Sequence, residues 1–170
     1  SAYHHGEASP AMSIVNLAPD FVGSHNINLP VPSGQVGTRL QGGKDHASPR
    51  YIFTRLHEVC RAMFPECDDA LLNYLDEDGQ RIEPDYYYPV LPLVLVNGAE
   101  GIGTGWSTSI PNFHPRDLIA NIPTVHNDES PTQMHPPFRH VKGKTADDIV
   151  NSEGRYAVTG ALDNRNHCTL

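Results

Sequence analysis

A chain of 170 residues, 38% of them hydrophobic, carries enough apolar side chain to bury a core, either as one ordinary domain or as two small ones. It has no signal peptide and no apolar run of about 18 residues, which excludes a membrane-spanning helix. Its three cysteines, Cys60, Cys67 and Cys168, fit no zinc spacing and no disulfide framework, so a reduced intracellular setting is expected.

The net charge of −8 argues at first sight against nucleic acid, because a nucleic-acid binder should show a basic footprint. The charge is unevenly placed, however. Residues 1–66 hold five Lys/Arg and five Asp/Glu, whereas residues 67–170 hold seven and fifteen. Between Arg39 and Arg61 there are five bases and two acids, so a local basic strip is present within an acidic chain.

In chain order, Ser9-Pro10 reads as N-cap and first helical position, followed by a helix over residues 11–18 with Ile14, Leu17, Ala18 and Phe21 on one face. Residues 23–48 are rich in Gly, Pro, Asn and Ser and read as a long loop or wing with short strands at most, a length of irregular chain that is usually functional. The β-branched and aromatic run Arg50–Thr54 reads as a strand, and a helix follows from Leu56 to Phe64, stopped by Pro65. Asp76-Glu77-Asp78-Gly79 reads as a hairpin turn. The apolar run Pro89–Val96 is expected to be buried, and Asn97–Gly105, with four glycines, reads as a special loop. A helix is expected from His114 to Ile122, then a Pro/His-rich linker over residues 123–140, with strands resuming at Tyr156–Thr159. The chain starts without Met and stops in an apolar, strand-like run, Cys168-Thr169-Leu170, so it is expected to be a piece of a longer protein.

Chemistry has few candidates. A tyrosine such as Tyr51 is a poor nucleophile at neutral pH, its phenol pKa being about 10, unless a cation or a base assists it. Arg50 is adjacent, but neighbours in a strand point to opposite faces. The two converge on one phosphate only if the backbone is bent there, and Pro49 makes a break plausible. On spacing alone Tyr51 reads as an ordinary strand residue. The preceding Gly-rich segment with Arg39 and Lys44 suits a close approach of backbone N–H groups and cations to phosphate, and suits a plain turn-rich wing equally well. His4-His5 by itself is weak evidence for a metal.

Four runs in register carry a resemblance. Tyr3-His4-His5-Gly6-Glu7, Gly37-Thr38-Arg39-Leu40-Gln41-Gly42-Gly43-Lys44-Asp45, Pro49-Arg50-Tyr51-Ile52-Phe53-Thr54 and Asn97-Gly98-Ala99-Glu100-Gly101-Ile102-Gly103-Thr104-Gly105-Trp106 resemble the breakage-reunion core of the eukaryotic DNA topoisomerase II family, the type IIA enzymes. The likeness is dense over residues 1–122. It is thinner beyond, where residues 123–140 depart from the family and Phe138 to Gly143 resemble the start of its tower domain.

The resemblance implies an α+β fold: a winged-helix-type DNA-cleavage region with helices, wing strands and long loops over residues 1–122, a linker over 123–140, and the start of a β-rich tower domain over 141–170. It implies that Tyr51 is the nucleophile that becomes linked to the 5′ end of a broken strand, and that Arg50 stabilises charge on the scissile phosphate. His4, His5, Arg39 and Lys44 are implied to contact the DNA backbone, and Ile102 to be an apolar wedge that enters a base step. Ala8 stands where relatives often carry a larger side chain, which bears on inhibitor binding rather than on the reaction.

The family's cofactors are Mg²⁺ and ATP, both bound by domains outside this chain, and no metal ligand is assigned within it. Asp76, Glu77, Asp78, Asp147 and Asp148 read as turn or surface charges. The resemblance further implies double-stranded DNA as substrate, a homodimer as the working form, no membrane partner and a nuclear location. Two other classes compete: a non-catalytic winged-helix DNA-binding module, and a structural interaction fragment favoured by the net acidity.

Overall fold

The computed structural model describes residues 1–137, 150–152 and 155–157. The chain divides into two compact units, Ser1–Pro136 and Pro137–Leu170. The first holds four α-helices and two β-hairpins, an α+β arrangement in which each sheet has two strands.

Helix α1 spans Ala8–Leu17, so Ser9-Pro10 lies inside it rather than at its cap. Its buried face meets the expected one only at the C-terminal end, where Ala18 is buried and Phe21 half-buried. Val15 and Ala18 are buried with Ala11 half-buried beside them, while Ile14 and Leu17 are exposed. Positions 11, 15 and 18 obey helical periodicity as well as the predicted set does. The small stripe wins because the turn Pro49–Tyr51 packs against this helix, and alanines let it come close.

Residues 23–58 form a wing held by isolated bridges rather than by regular strands, Pro30 opposite Leu56 and Ser33 opposite Phe53. The N–H groups of Val31, Phe53 and His57 donate to the carbonyls of Arg55, Ser33 and Leu29 at 2.8, 3.0 and 2.7 Å. The strand expected at Arg50–Thr54 does not form. Pro49–Tyr51 is a single 3-10 turn, and only Phe53 pairs. Proline has no N–H for a ladder and its fixed φ suits the first position of a helical turn. Helix α2 is shorter than expected, Val59–Met63, and buries Cys60 and Met63.

Strands β1 (Tyr74–Glu77) and β2 (Gln80–Pro84) make the hairpin expected at Asp76–Gly79. Asp78 and Gly79 both have positive φ, 52° and 79°, as a two-residue primed turn requires. Pro89–Val96 is only partly buried. Its second half is the one-turn helix α3, Leu93–Asn97, which buries Val96 completely and leaves Val94 exposed, while Val90 is exposed before it. A helix packed on one side must leave its other side outside.

The glycine-rich segment expected to be a loop is a second hairpin, β3 (Ala99–Gly103) and β4 (Trp106–Ile110), in unbroken register from Ala99↔Ile110 to Gly103↔Trp106. Its root is fixed. Asn97 Oδ1 accepts the N–H groups of Asn26 and Ile27 at 3.1 and 2.9 Å, and Asn97 Nδ2 donates to the Ile27 carbonyl at 2.9 Å. Asn26 Nδ2 donates in turn to the carbonyls of Val96 and Phe113 at 2.7 and 3.0 Å. Gly98, at φ 73°, admits no side chain, since a Cβ there would lie 2.8 Å from the Ile110 carbonyl oxygen.

Helix α4, Pro115–His126, starts as expected, with His114 Nδ1 accepting the Arg116 N–H at 3.1 Å. It runs through Pro123 instead of stopping at Ile122. The lost backbone bond falls on the Ile119 carbonyl, whose residue is exposed, so water can satisfy it. In the second unit β5 (Val150–Ser152) pairs antiparallel with β6 (Arg155–Ala157). The expected tower start at Phe138 to Gly143 and the strand end at Val158-Thr159 lie outside the described residues.

Candidate functional site

Tyr51 is 70% exposed and ends the 3-10 turn, its N–H donating to the Ser48 carbonyl at 2.9 Å. The turn brings Arg50 round to the same side. The Arg50 guanidinium carbon lies 6.0 Å from the centre of the Tyr51 ring, within cation–π range, which an alternating strand would not allow. Pro49 and Ile52, on either side of the pair, face an apolar cleft of about 150 Å³ walled by Ala11 and Val15 of α1, by Ala18 at its C-cap and by Val36. The phenol and guanidinium therefore stand outward on a turn seated on a helix.

Arg39 and Lys44 occupy one closed loop. Gly43 N–H donates to the Thr38 carbonyl at 2.9 Å, and the backbones of Gly37 and Gly43 approach so closely that a Cβ on Gly37 would lie 2.5 Å from the Gly43 Cα. Asp45 closes the loop. Its Oδ1 accepts the Thr38 N–H at 2.8 Å, and its Oδ2 accepts the Thr38 hydroxyl at 2.7 Å and the Gln35 amide at 3.3 Å. The Thr38 N–H, then the Thr38 hydroxyl, hold the Asp45 carboxyl below its ordinary pKa. The same bonds occupy the loop's one acid, and Arg39 and Lys44 make no ion pair with a described carboxylate. The 3-10 turn Arg39–Gln41 presents Leu40 at the tip, 91% exposed.

His4 and His5 lie on the exposed segment before α1 and are steadied by the β1–β2 hairpin. Ala2 N–H donates to Glu83 Oε1 at 2.7 Å, and this bond is the largest cause lowering the Glu83 carboxyl to about 2. His4 Nε2 meets Glu77 Oε1, and the His5 ring stands edge-on to Tyr3 with centroids 5.5 Å apart. Among the described residues no hydrogen bond or ion pair joins either histidine to Arg50 or Tyr51. The two groups are linked through α1, which His5 precedes and against which the Tyr51 turn packs.

Ile102 is 93% exposed on β3, and Trp106, opposite Gly103 on β4, is 86% exposed. With Leu40, these are the three most exposed large apolar side chains among the described residues, all at the tips of projections. Sequence reasoning found Ile102 and missed Leu40 and Trp106. The available signal was an apolar residue beside glycine or Arg with no periodic partner. It also missed Asp45, Glu77 and Glu83 as the side chains that shape the loop and the histidine segment. Arg61, counted in the basic strip, is paired with Asp69 at 3.0 Å, which leaves Arg39, Lys44, Arg50 and Arg55 as the strip's uncompensated cations among the described residues. The same residues contain no group of three His, Cys, Asp or Glu side chains arranged to hold a metal ion.

Known proteins resemble this chain closely. DNA topoisomerase 2 of Arabidopsis thaliana is 55% identical over 172 residues, covering 100% of this chain and 12% of that protein. DNA topoisomerase 2-alpha of Homo sapiens is 50% identical over 170 residues, covering 100% and 11%. The chain thus spans about a tenth of the length of these relatives. Among solved structures, the Plasmodium falciparum topoisomerase II DNA-binding, cleavage and re-ligation domain superposes with a TM-score of 0.75 at 50% identity, over 88% of this chain and 21% of that one. The expected resemblance to eukaryotic type II enzymes is thereby borne out. The sequence profile of the DNA gyrase/topoisomerase IV A-subunit family matches residues 1–170, the divergent stretch 123–140 included, and the chain belongs to that family.

Proposed function

We propose that this chain carries the strand-cleaving tyrosine of a type II DNA topoisomerase, with Tyr51 as nucleophile. The observation that carries the reading is the 3-10 turn that sets an exposed phenol beside a guanidinium on one side of a helix-seated backbone. The Tyr51 oxygen forms a bond to a backbone phosphorus, and the bond from that phosphorus to the 3′ oxygen breaks. The phenol proton passes to solvent and the departing oxygen is protonated to a 3′ hydroxyl, so Tyr51 is left linked to the 5′ end. The new phosphodiester conserves the bond energy, and the reverse attack reseals the strand without ATP at that step. Arg50 offers planar, paired donors to the charge that builds on the phosphate oxygens.

Arg39 and Lys44 hold neighbouring phosphates, His4 and His5 approach the backbone near the cut, and Ile102 enters a base step and kinks the duplex. The described residues do not fit a Mg²⁺ site. The metal that assists such transfer, and the ATP that drives strand passage, belong in this proposal to other parts of the enzyme. The working form is a nuclear homodimer, so that two Tyr51 residues cut opposite strands. The reading is supported by relatives named DNA topoisomerase 2 and by a structural neighbour named for DNA binding, cleavage and re-ligation.

The test is covalent capture. Full-length enzyme incubated with duplex DNA and Mg²⁺ and then denatured yields protein–DNA adducts, and Tyr51→Phe yields none while still binding DNA. Adducts that persist in Tyr51→Phe would put the nucleophile elsewhere in the enzyme and leave this chain only a DNA-binding part.

A further inference from the structure

We infer that Trp106 is a second DNA-contacting side chain of the β3–β4 hairpin, bracing the sugar–phosphate wall of the groove that Ile102 enters. The inference rests on the proposed wedge role of Ile102 and extends it to a residue on the other side of the ribbon.

The register decides which way each side chain faces. Directly opposed residues in an antiparallel pair share a face, and successive residues alternate. Ile102 and Ser107 therefore share one face with Glu100 and Ser109. Trp106 and Gly103 share the other with Gly101, Thr108, Ala99 and Ile110. Near the root this second face lies against the body of the protein, where Ala99 and Ile110 are half-buried. Near the tip it leaves the body behind, and the indole stands 86% exposed. Tryptophan is highly buried on average, so an indole with no packing at a projecting tip is an unmet contact.

The glycines sharpen this. Gly103, directly across from Trp106, and Gly101, diagonal to it, place no side chain against the ring. Neither is forced by crowding: a Cβ on Gly101 would meet nothing within 4 Å, and one on Gly103 would meet only the Trp106 carbonyl at 3.8 Å. The absence of side chains at these two positions leaves a flat, uncovered platform beside the indole.

Ile102 and Trp106 stand one register pair apart on opposite faces, Trp106 nearer the turn. A minor groove is about 6 Å wide, so a ribbon tip that drives a wedge into a base step has its second face against a groove wall. Trp106 meets that wall with a large apolar ring and one N–H donor, suited to a deoxyribose face and a backbone or groove-edge acceptor. Ile102 opens the step, and Trp106 holds the ribbon at the depth and tilt that opening needs.

The experiment uses full-length enzyme with benzoylphenylalanine in place of Trp106, bound to a duplex with one strong cleavage site and irradiated. The expected product is an adduct on nucleotides flanking the step that Ile102 enters. An adduct to a protein segment, or none, overturns the inference. In parallel, Trp106→Ala weakens DNA binding about tenfold, the scale of an aromatic contact to nucleic acid, and changes the spectrum of cleaved sites. Trp106→Phe restores most of both. Thermal stability stays unchanged in both variants, because the side chain is unpacked. Unchanged affinity and site spectrum in Trp106→Ala also overturn it. Loss of the parent reading has a different signature, a wild-type DNA bend in Ile102→Ala, and whether position 106 forms a photo-adduct with DNA is read independently of it.

Discussion

Asp45 shows how a side chain outside the proposed DNA-contacting set shapes the loop that carries two members of that set. Its two oxygens take the N–H and hydroxyl of Thr38, closing the loop that carries Arg39 and Lys44. These bonds hold its folded pKa below the unfolded value of about 3.9. A depressed carboxyl pKa contributes stability that is fully present above the unfolded value and is lost as pH falls through the folded one. The loop is therefore at full strength at neutral pH, and an NMR titration of the Asp45 carboxyl should show a midpoint under the unfolded value. A midpoint at or above it would mean the Thr38 bonds are not formed in solution. Gly37 serves the same loop by lacking a side chain. Gly37→Ala places a Cβ 2.5 Å from the Gly43 Cα at a φ of 111°, and should cost about 1–3 kcal/mol and lower DNA affinity through the displaced loop. Denaturant melts and DNA titrations read the two effects, and an unchanged midpoint would refute the close approach.

At the level of elements the β3–β4 hairpin divides into a fixed root and a bare tip, and mutation should separate them. Asn97→Ala removes three hydrogen bonds at the root and leaves the N–H groups of Asn26 and Ile27 without their acceptor, a loss of about 2–4 kcal/mol. Ile102→Ala at the tip should change stability by less than about 0.5 kcal/mol, since nothing packs on it, while reducing the bend that fluorescence energy transfer reports across a bound duplex. A wild-type bend angle in Ile102→Ala would remove the wedge. The same hairpin marks where sequence reading stopped. The β1–β2 turn was legible because Asp78-Gly79 is a turn pair with a known geometry. Ala99–Gly103 was not, because its glycines and glutamate have little strand propensity and neither face reads as core. Arg50–Thr54 failed in the opposite sense: its composition suits a strand, but Pro49 starts a helical turn and only Phe53 finds a partner. Tyr51 and Arg50 were legible as a pair only through the four motifs around them, and the bend that sets them side by side was signalled by Pro49 alone.

Over the whole molecule the question is how a chain of net charge −8 would meet the polyanion proposed as its substrate. Part of the answer lies in position along the chain. Residues 67–170 carry the whole excess of acid, while Arg39, Lys44, Arg50 and Arg55 lie within 17 residues of chain and pair with no described carboxylate. Arg61 leaves the set by pairing with Asp69, and Asp45 is occupied by Thr38. A local basic strip can bind phosphates inside an acidic chain because charges further apart than about 8 Å are largely screened at physiological salt. This makes a quantitative demand on the full-length enzyme in the proposed dimeric form. Each cation that neutralises a phosphate releases a counterion, so the slope of log affinity against log salt should become shallower by about one unit for each such contact removed per site. Arg39→Gln and Lys44→Gln should each flatten the slope, and together they should do so additively. Arg81→Gln is the control, because that guanidinium lies 3.4 Å from the centre of the Tyr74 ring and belongs to the β1–β2 hairpin rather than to the strip. If Arg81→Gln flattens the slope as much as Arg39→Gln does, affinity depends on total charge, and the closed loop has no special part in holding DNA. If only the strip variants flatten it, the acidic remainder of the chain is electrostatically separate from the proposed cleavage surface.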